Sequence, residues 1–173
     1  MNKQQLAAKI WESANQMRSK IEANEYKDYI LGFIFYKYLS DRLVRFAQQE
    51  GMTDADIAVL REDDTETRDY FQKNLGYFIA YEHLFSTWLT AGNNFDVSQV
   101  REALSAFERL IHDHHKKLFN GIFNTLQTGL SKLGESAAKQ TKAIRDLLDL
   151  FFNSLINPQQ LTRYQSLQPV NLK

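Results

Sequence analysis

The amino-acid sequence predicts an all-α protein, a compact multi-helix domain built around one buried central helix. The 173 residues include only two prolines and seven glycines, a composition that favours long helices over a turn-rich β protein. Apolar residues recur three or four positions apart through most of the chain, which is the period of an amphipathic helix. Residues 24–49 also contain the segment EYKDYILGFIFYKYLSD, which is apolar almost all round. Such a helix is typically buried in a core.

The first predicted helix occupies the N-terminal residues. Asn2 has the residue type of an N-cap. The apolar residues that follow are spaced four, four, three and four apart, which places them on one helical face. They are Leu6, Ile10, Ala14, Met17 and Ile21.

The central helix is predicted at about residues 24–49, with Asn24 as its N-cap and Gly51 at its end. Its apolar run, residues 29–39, is shorter than the roughly 20 residues that cross a bilayer, and Lys37 interrupts it. The run therefore predicts a core helix and no membrane span.

Shorter elements follow the central helix. Thr53 and Asp56 form the pattern of a capping box for a short helix through Leu60. A second short helix is predicted from Asp64 or Thr65 to Gly76. Residues 77–88 begin as an extended segment and end as a helical turn, and their pattern leaves open one very short strand pair near 77–81.

Two longer helices are predicted in the second half of the chain. The first starts at Asp96 or Ser98, and its inward residues are Val97, Val100, Leu104, Phe107 and Ile111. Ser136 is the predicted N-cap of the last helix, whose buried stripe is Ile144, Leu147, Leu148, Phe151 and Leu155. Pro158 ends that helix, because the residue before a proline avoids the α region. The expected domain is 3–156, followed by a polar, mobile tail at 157–173.

Composition limits the possible chemistry. The chain has no cysteine, which excludes disulfides, thiolate metal sites and a cysteine nucleophile. The N-terminal residues lack the apolar stretch of a signal peptide, so we expect a cytoplasmic protein. The sequence contains neither the GxSxG nor the HExxH motif and no glycine-rich phosphate loop. It therefore predicts no catalytic, cofactor-binding or metal site.

Charge is zero overall but unevenly distributed. Residues 51–70 contain two basic and seven acidic residues, whereas residues 101–145 contain eight basic and four acidic residues. Basic side chains can follow a phosphate backbone without reading bases, although solvated helix faces look the same in sequence. The candidate DNA-phosphate contacts are Lys116, Lys117, Lys132, Lys139, Lys142 and Arg145.

A histidine cluster is the one arrangement that suggests a metal. His112 and His115 are three residues apart, so on a helix both could reach one ion, with Asp113 nearby. Lys116 and Lys117 follow directly, and their charge opposes a cation. Histidines and lysines at a helix end also interact favourably with the helix dipole, which is the simpler explanation. His83, beside Leu84 and Phe85, is expected in the core or at its rim.

The central helix also resembles a known family. Its residues Glu25-Tyr26-Lys27, Ile30-Leu31 and Phe35 to Asp41, after Ile10-Trp11, resemble the opening of the modification (M, HsdM) subunit of type I restriction–modification systems. The resemblance covers about residues 3–156, and Phe119 to Asn124 resembles a second element of that family, F-x-G-[LI]-F-[DN].

The resemblance implies an N-terminal helical domain of an N6-adenine DNA methyltransferase subunit. In the full-length family member a second domain binds S-adenosylmethionine and carries the motif N-P-P-[FY], whose aromatic ring stacks on the flipped adenine. This chain has Asn157-Pro158-Gln159-Gln160 instead, so no catalysis is expected from it alone. The implied partners are the specificity subunit, a second modification subunit, duplex DNA in the assembled complex and, as an additional partner, the restriction subunit.

Two other functions remain open at the level of sequence. One is a purely structural protein–protein interaction module that does not touch DNA, with exposed apolar patches at Trp88 or Phe119. The other is an independent helical enzyme that uses the histidine cluster.

Overall fold

A computed structural model of the chain describes Asn2, Gln4, Gln5, Ala8 and residues 23–155, with side chains described at those four positions and at 28–149. Within these residues the protein is all-α, as predicted, and contains no strand. Its helices are α1 (Ala23–Gln49), α2 (Asp54–Ile57), α3 (Thr65–Leu75), α4 (Phe85–Ala91), α5 (Val97–Arg109), α6 (Lys116–Phe119), α7 (Asn124–Gly129) and α8 (Ala137–Leu155). Four 3₁₀ turns connect them, at Tyr81–His83, Gly92–Asn94, Asp113–His115 and Leu130–Leu133.

Helix α1 is the centre of the fold, and α4 and α7 pack directly against it. Tyr36 lies at the middle of the core, fully buried, with its ring stacked on Trp88 at 4.9 Å between centroids. Its hydroxyl donates a hydrogen bond to the backbone oxygen of His83 at 2.9 Å. Tyr29 donates in the same way to the backbone oxygen of Gly129. A side chain at Gly129 would collide with that tyrosine, so this position requires glycine.

Several sequence-predicted helix ends are confirmed. Asn2 and Gln5 exchange hydrogen bonds between side chain and backbone, as an N-cap does. Thr53 and Asp56 form the predicted capping box of α2, and Asp64 caps α3. Gly76 ends α3 with a φ of 92°, a left-handed conformation that favours glycine.

Other predicted ends are wrong by a few residues. Helix α1 already includes Ala23, so Asn24 is a helical residue and not the N-cap. Helix α2 ends at Ile57, before Leu60, which is nevertheless buried. The predicted stripe of the first helix, Phe151 and Leu155 of the last stripe, Pro158 and the tail lie outside the residues or side chains that the structure describes.

The alternative of a strand pair near 77–81 is wrong. Residues 77–80 have no regular secondary structure and pair with no strand among the described residues. Their side chains are buried on both sides of the backbone, so the alternation of a half-buried strand is absent. The Tyr77 hydroxyl instead donates to the backbone oxygen of Leu39, and the Tyr81 amide donates to Leu60. The segment is a buried connection between α3 and α4.

The second half forms the other side of the core. Asp96 caps α5 with a capping box, and the predicted inward residues of α5 are buried. Ser136 accepts a hydrogen bond from the Lys139 amide, as the cap of α8 should, and α8 packs on α4, on α5 and on the Leu130–Leu133 turn. None of the helices in the described part of the chain is long and apolar enough to cross a membrane.

Candidate interaction surfaces

Helix α1 is not buried on every side, which corrects the sequence prediction. Leu31, Phe35 and Tyr38 are exposed by 47%, 39% and 52%, although they belong to its apolar block. Phe35 and Tyr38 stack on each other with nearly parallel rings, and Phe35 also contacts Phe123 beside α7. These three apolar side chains form one stripe on the side of α1 that faces away from the core.

The same side of α1 continues into charged residues. Asp28 and Arg45 are exposed at its two ends, and Arg42 is half-buried between Tyr38 and Arg45. Burial raises the pKa of the Tyr77 hydroxyl, and the positive charges of Arg42 and Arg45 oppose that rise. We call the set of six residues the outer seam: Asp28, Leu31, Phe35, Tyr38, Arg42 and Arg45. Its spacing of three, four, three, four and three residues is visible in the sequence, but the prediction of a fully buried helix assigned these residues to the core.

The exposed apolar patches at Trp88 or Phe119 that would suit a purely structural module are absent, because both side chains are buried. Trp88 is 2% exposed and lies between Tyr36 and Phe85. Phe119 is 5% exposed and packs edge-on against Tyr77. Both side chains belong to the core, because Trp88 packs against an aromatic ring of α1 and Phe119 against an aromatic ring of α5.

The six predicted phosphate contacts lie in two groups. Lys116 and Lys117 lie in α6, which Phe119 anchors to the core. The others lie on α8 and the turn before it, where Gly134 approaches the Lys139 side chain closely. These are Lys132, Lys139, Lys142 and Arg145.

Most of these cations have a partner. Lys116 pairs with Asp113 at 2.8 Å, and the pairs Lys139–Glu135 and Lys142–Asp146 are both 2.9 Å long. Arg145 is half-buried and donates to the Phe95 backbone oxygen at 3.2 Å. Lys117 is exposed, and no carboxylate of the described residues lies within ion-pair distance of it. Their role as phosphate contacts stays a prediction.

The histidine cluster does not sit on a helix, contrary to the geometry that the metal hypothesis needs. Helix α5 ends at Arg109, and the histidines form a separate turn in which the His112 ring nitrogen accepts the His114 amide at 3.2 Å. Asp113 is held by Lys116, and this partner keeps the pKa of its carboxyl below the ordinary value. Within the described residues no three histidine, aspartate or glutamate side chains are placed to hold a metal.

Buried polar groups serve packing. Burial raises the pKa values of the Tyr36 and Tyr77 hydroxyls far above the ordinary value, so both stay neutral. Burial also lowers the pKa of His83, although Glu82 and other nearby carboxylates oppose that shift. His83 lies at the rim of the core, as predicted. A surface cleft of 680 Å³ lies nearby, but its charges are largely satisfied by pairs such as Arg61–Asp63 at 3.3 Å and Arg109–Glu62 at 2.7 Å.

Comparison with known proteins agrees with this fold. The family described as the HsdM N-terminal domain matches residues 6–151. The chain belongs to this family. It is thus the N-terminal domain of a type I restriction–modification methylase subunit, and the resemblance noted in the sequence is confirmed.

Two relatives show the extent of the match. The type I restriction enzyme MpnII methylase subunit of Mycoplasma pneumoniae is 28% identical over 154 residues, which are 81% of this chain and 28% of the relative. The crystal structure of a type I restriction-modification system methyltransferase subunit from Streptococcus thermophilus superposes with a TM-score of 0.68 at 26% identity, over 86% of this chain and 33% of that one. The chain therefore spans about a third or less of these relatives, and the HsdM match does not extend to their remaining length.

Proposed function

We propose that this HsdM N-terminal domain is a non-catalytic assembly domain that acts in the cytoplasm. It connects the modification subunit to the specificity subunit and to a second modification subunit, and it helps the complex to close on duplex DNA. Methyl transfer from S-adenosylmethionine to adenine N6 belongs to the part of the full-length subunit beyond this family match. A restriction subunit is a further partner of the assembled complex.

The proposal rests on the family to which the chain belongs together with the apolar and charged residues exposed on its surface. The family match places the chain in a methylase subunit, whereas the described residues present a folded core with exposed apolar and charged faces. Apolar and aromatic residues held at a surface by a rigid helix are typical of protein interfaces. The assembly role predicts that the chain binds the specificity subunit directly. Co-purification of the two proteins tests this role, and their failure to associate would contradict it.

Contact with DNA is the second part of the proposal. Exposed ion pairs of lysine contribute little, so a phosphate can replace the carboxylate as the partner of Lys139 or Lys142. Lys117 has no carboxylate partner among the described residues and should contribute more. We expect binding of the chain to duplex DNA to weaken as salt rises, because phosphate contacts release counterions.

The DNA contact is tested residue by residue. Lys117→Ala should weaken DNA binding more than Lys142→Ala, because Asp146 already offsets the charge of Lys142. Arg61→Glu, a charge change on an exposed residue outside the basic groups, serves as the control. Binding that does not change between low and high salt would contradict the phosphate contacts.

A purely structural interaction module remains the second candidate. The pairing of three of the six predicted cations with carboxylates favours it, as does the apolar stripe on α1. If reversal of charge at Lys116, Lys117, Lys139 and Lys142 leaves DNA association of the assembled complex unchanged, the structural module is the better description.

A further inference from the structure

The outer seam of α1 has the spacing of a helix–helix contact. Its six residues, from Asp28 to Arg45, lie within an arc of about 100° and extend over about 26 Å of helix. The alternation of three and four residues is that of the a and d positions at which two helices pack side by side. A helix face that contacts only solvent does not require this period. In addition, three of the six positions of the outer seam are large apolar side chains. The natural occupant of such a face is another helix.

The order of residues along the seam is self-complementary. Its midpoint falls between Tyr36 and Lys37, and an antiparallel copy of α1 brings Asp28 opposite Arg45 at both ends. In the same arrangement Phe35 of each copy lies opposite Tyr38 of the other copy. Leu31 lies opposite Arg42, a half-buried residue whose aliphatic stem can pack on an apolar side chain while its charged end stays in water.

Charge is consistent with this pairing. Asp28 and Arg45 are both exposed, and no ion pair joins either of them to another described residue. Lys37 and Asp41, the other described charges at the middle of α1, pair with each other, and Lys37 also lies over the Phe85 ring. The seam therefore offers one acidic and one basic end with an apolar centre. A twofold-symmetric contact needs such a pattern, because each patch must complement itself.

The N-terminal segment of the same chain complements the seam less well. An antiparallel packing of that segment on α1 would bring its first residues opposite Arg42 and Arg45. Residues 1–11 contain Lys3 and Lys9 but no carboxylate, so the basic end would face further positive charge.

We propose that the outer seam of α1 is a self-association surface, on which α1 of a second copy of this chain packs antiparallel about a twofold axis. This inference rests on the proposed assembly function and names the surface through which two modification subunits meet. One helical seam buries less than the roughly 1,200 Å² of a stable interface, so the contact is weak and reversible. A weak contact suits a complex that must open and close.

The test is self-association of the 173-residue chain, measured by sedimentation velocity over a dilution series. Asp28→Lys places two cations opposite each other at both ends and should raise the dimer dissociation constant about tenfold. Arg45→Glu should do the same. The double variant Asp28→Lys, Arg45→Glu restores opposite charges and should return the constant to within about threefold of the starting value. Glu66→Lys, an exposed carboxylate on α3, is the matched control and should change nothing.

Phe35→Asp removes the apolar centre and should abolish the dimer while lowering the melting temperature by only a few degrees, because the Phe35 side chain is 39% exposed. A large fall in melting temperature would instead show that another part of the same chain covers the seam, and would overturn the proposal. A monomer at all concentrations, or charge variants that the double substitution does not rescue, would also overturn it. Co-purification with the specificity subunit is measured in parallel with the same variants. Its persistence after such a result would leave the assembly function standing without this surface.

Discussion

The two sides of α1 have similar compositions and opposite surroundings. The inner side presents Tyr29, Phe33, Tyr36 and Leu43 to the core, all less than 4% exposed, whereas the outer seam presents Leu31, Phe35 and Tyr38 to solvent. Both sides are apolar and aromatic, so composition alone does not distinguish them. What distinguishes them is which helices pack nearby, since α4 and α7 cover the inner side. An apolar residue on a central helix therefore indicates a packing contact, but its partner can belong to the same domain or to another protein.

The largest expected difference comes from removing one aromatic ring on each side. Phe33→Ala opens a cavity at a fully buried position and should lower the free energy of unfolding by about 3–5 kcal/mol. Phe35→Ala removes the same atoms from a side chain that is 39% exposed and should lower it by less than about 1.5 kcal/mol. Urea unfolding followed by circular dichroism measures both values.

Equal losses of unfolding free energy for the two variants would contradict the distinction between a buried inner side and an exposed outer seam. A loss below about 1 kcal/mol for Phe33→Ala would contradict its burial in the core. A loss for Phe35→Ala as large as that for Phe33→Ala would show that the outer seam is covered within the same chain.

The next effect concerns the tyrosine hydroxyls. Tyr36→Phe removes the donor to the His83 backbone oxygen and leaves a part-buried acceptor without it, which should cost about 1–3 kcal/mol. Tyr38→Phe changes a side chain that is 52% exposed and should stay within about 0.5 kcal/mol of the parent. Thermal unfolding of the two single variants and of the double variant shows whether the effects are independent, as residues on opposite sides of one helix should be.

The smallest effect is a pH dependence on the inner side. Because burial lowers the pKa of His83 in the folded state, the unfolded chain binds a proton more readily below its ordinary pKa of 6.5. The free energy of unfolding should therefore fall as pH decreases through 6.5 towards the lower pKa of the folded state. His83→Gln should make this part of the stability profile flatter. A profile that His83→Gln does not alter would show that His83 is solvated.

Local signals in the sequence predicted local structure well. Thr53, Asp64 and Asp96 were identifiable as caps because a side chain that accepts an amide two or three residues away is a short-range contact. The end of α3 at Gly76 was also identifiable, because glycine readily adopts the left-handed conformation that ends a helix. The buried stripe of α5 was predictable from periodicity because a helix fixes which residues share a face.

The larger errors concern contacts between elements, whereas Asn24 and the end of α2 are errors of a few residues in helix ends. The hypothesis of a structural module would suit exposed patches at Trp88 or Phe119, but aromatic side chains from distant parts of the chain enclose both. The partners of Lys139 and Lys142 lie one helical turn away and were readable from the sequence in principle. The position of Arg145 against the Phe95 backbone was not, because fifty residues separate the two.

By itself the sequence determined the helical class, most of the caps, the central position of α1 and the family, because each depends on residue type and spacing along the chain. Only the tertiary structure decided which side of α1 is the core and which is the outer seam. A helix carries the same residues wherever it lies, and its apolar sides become inside or outside only when other helices pack on one of them.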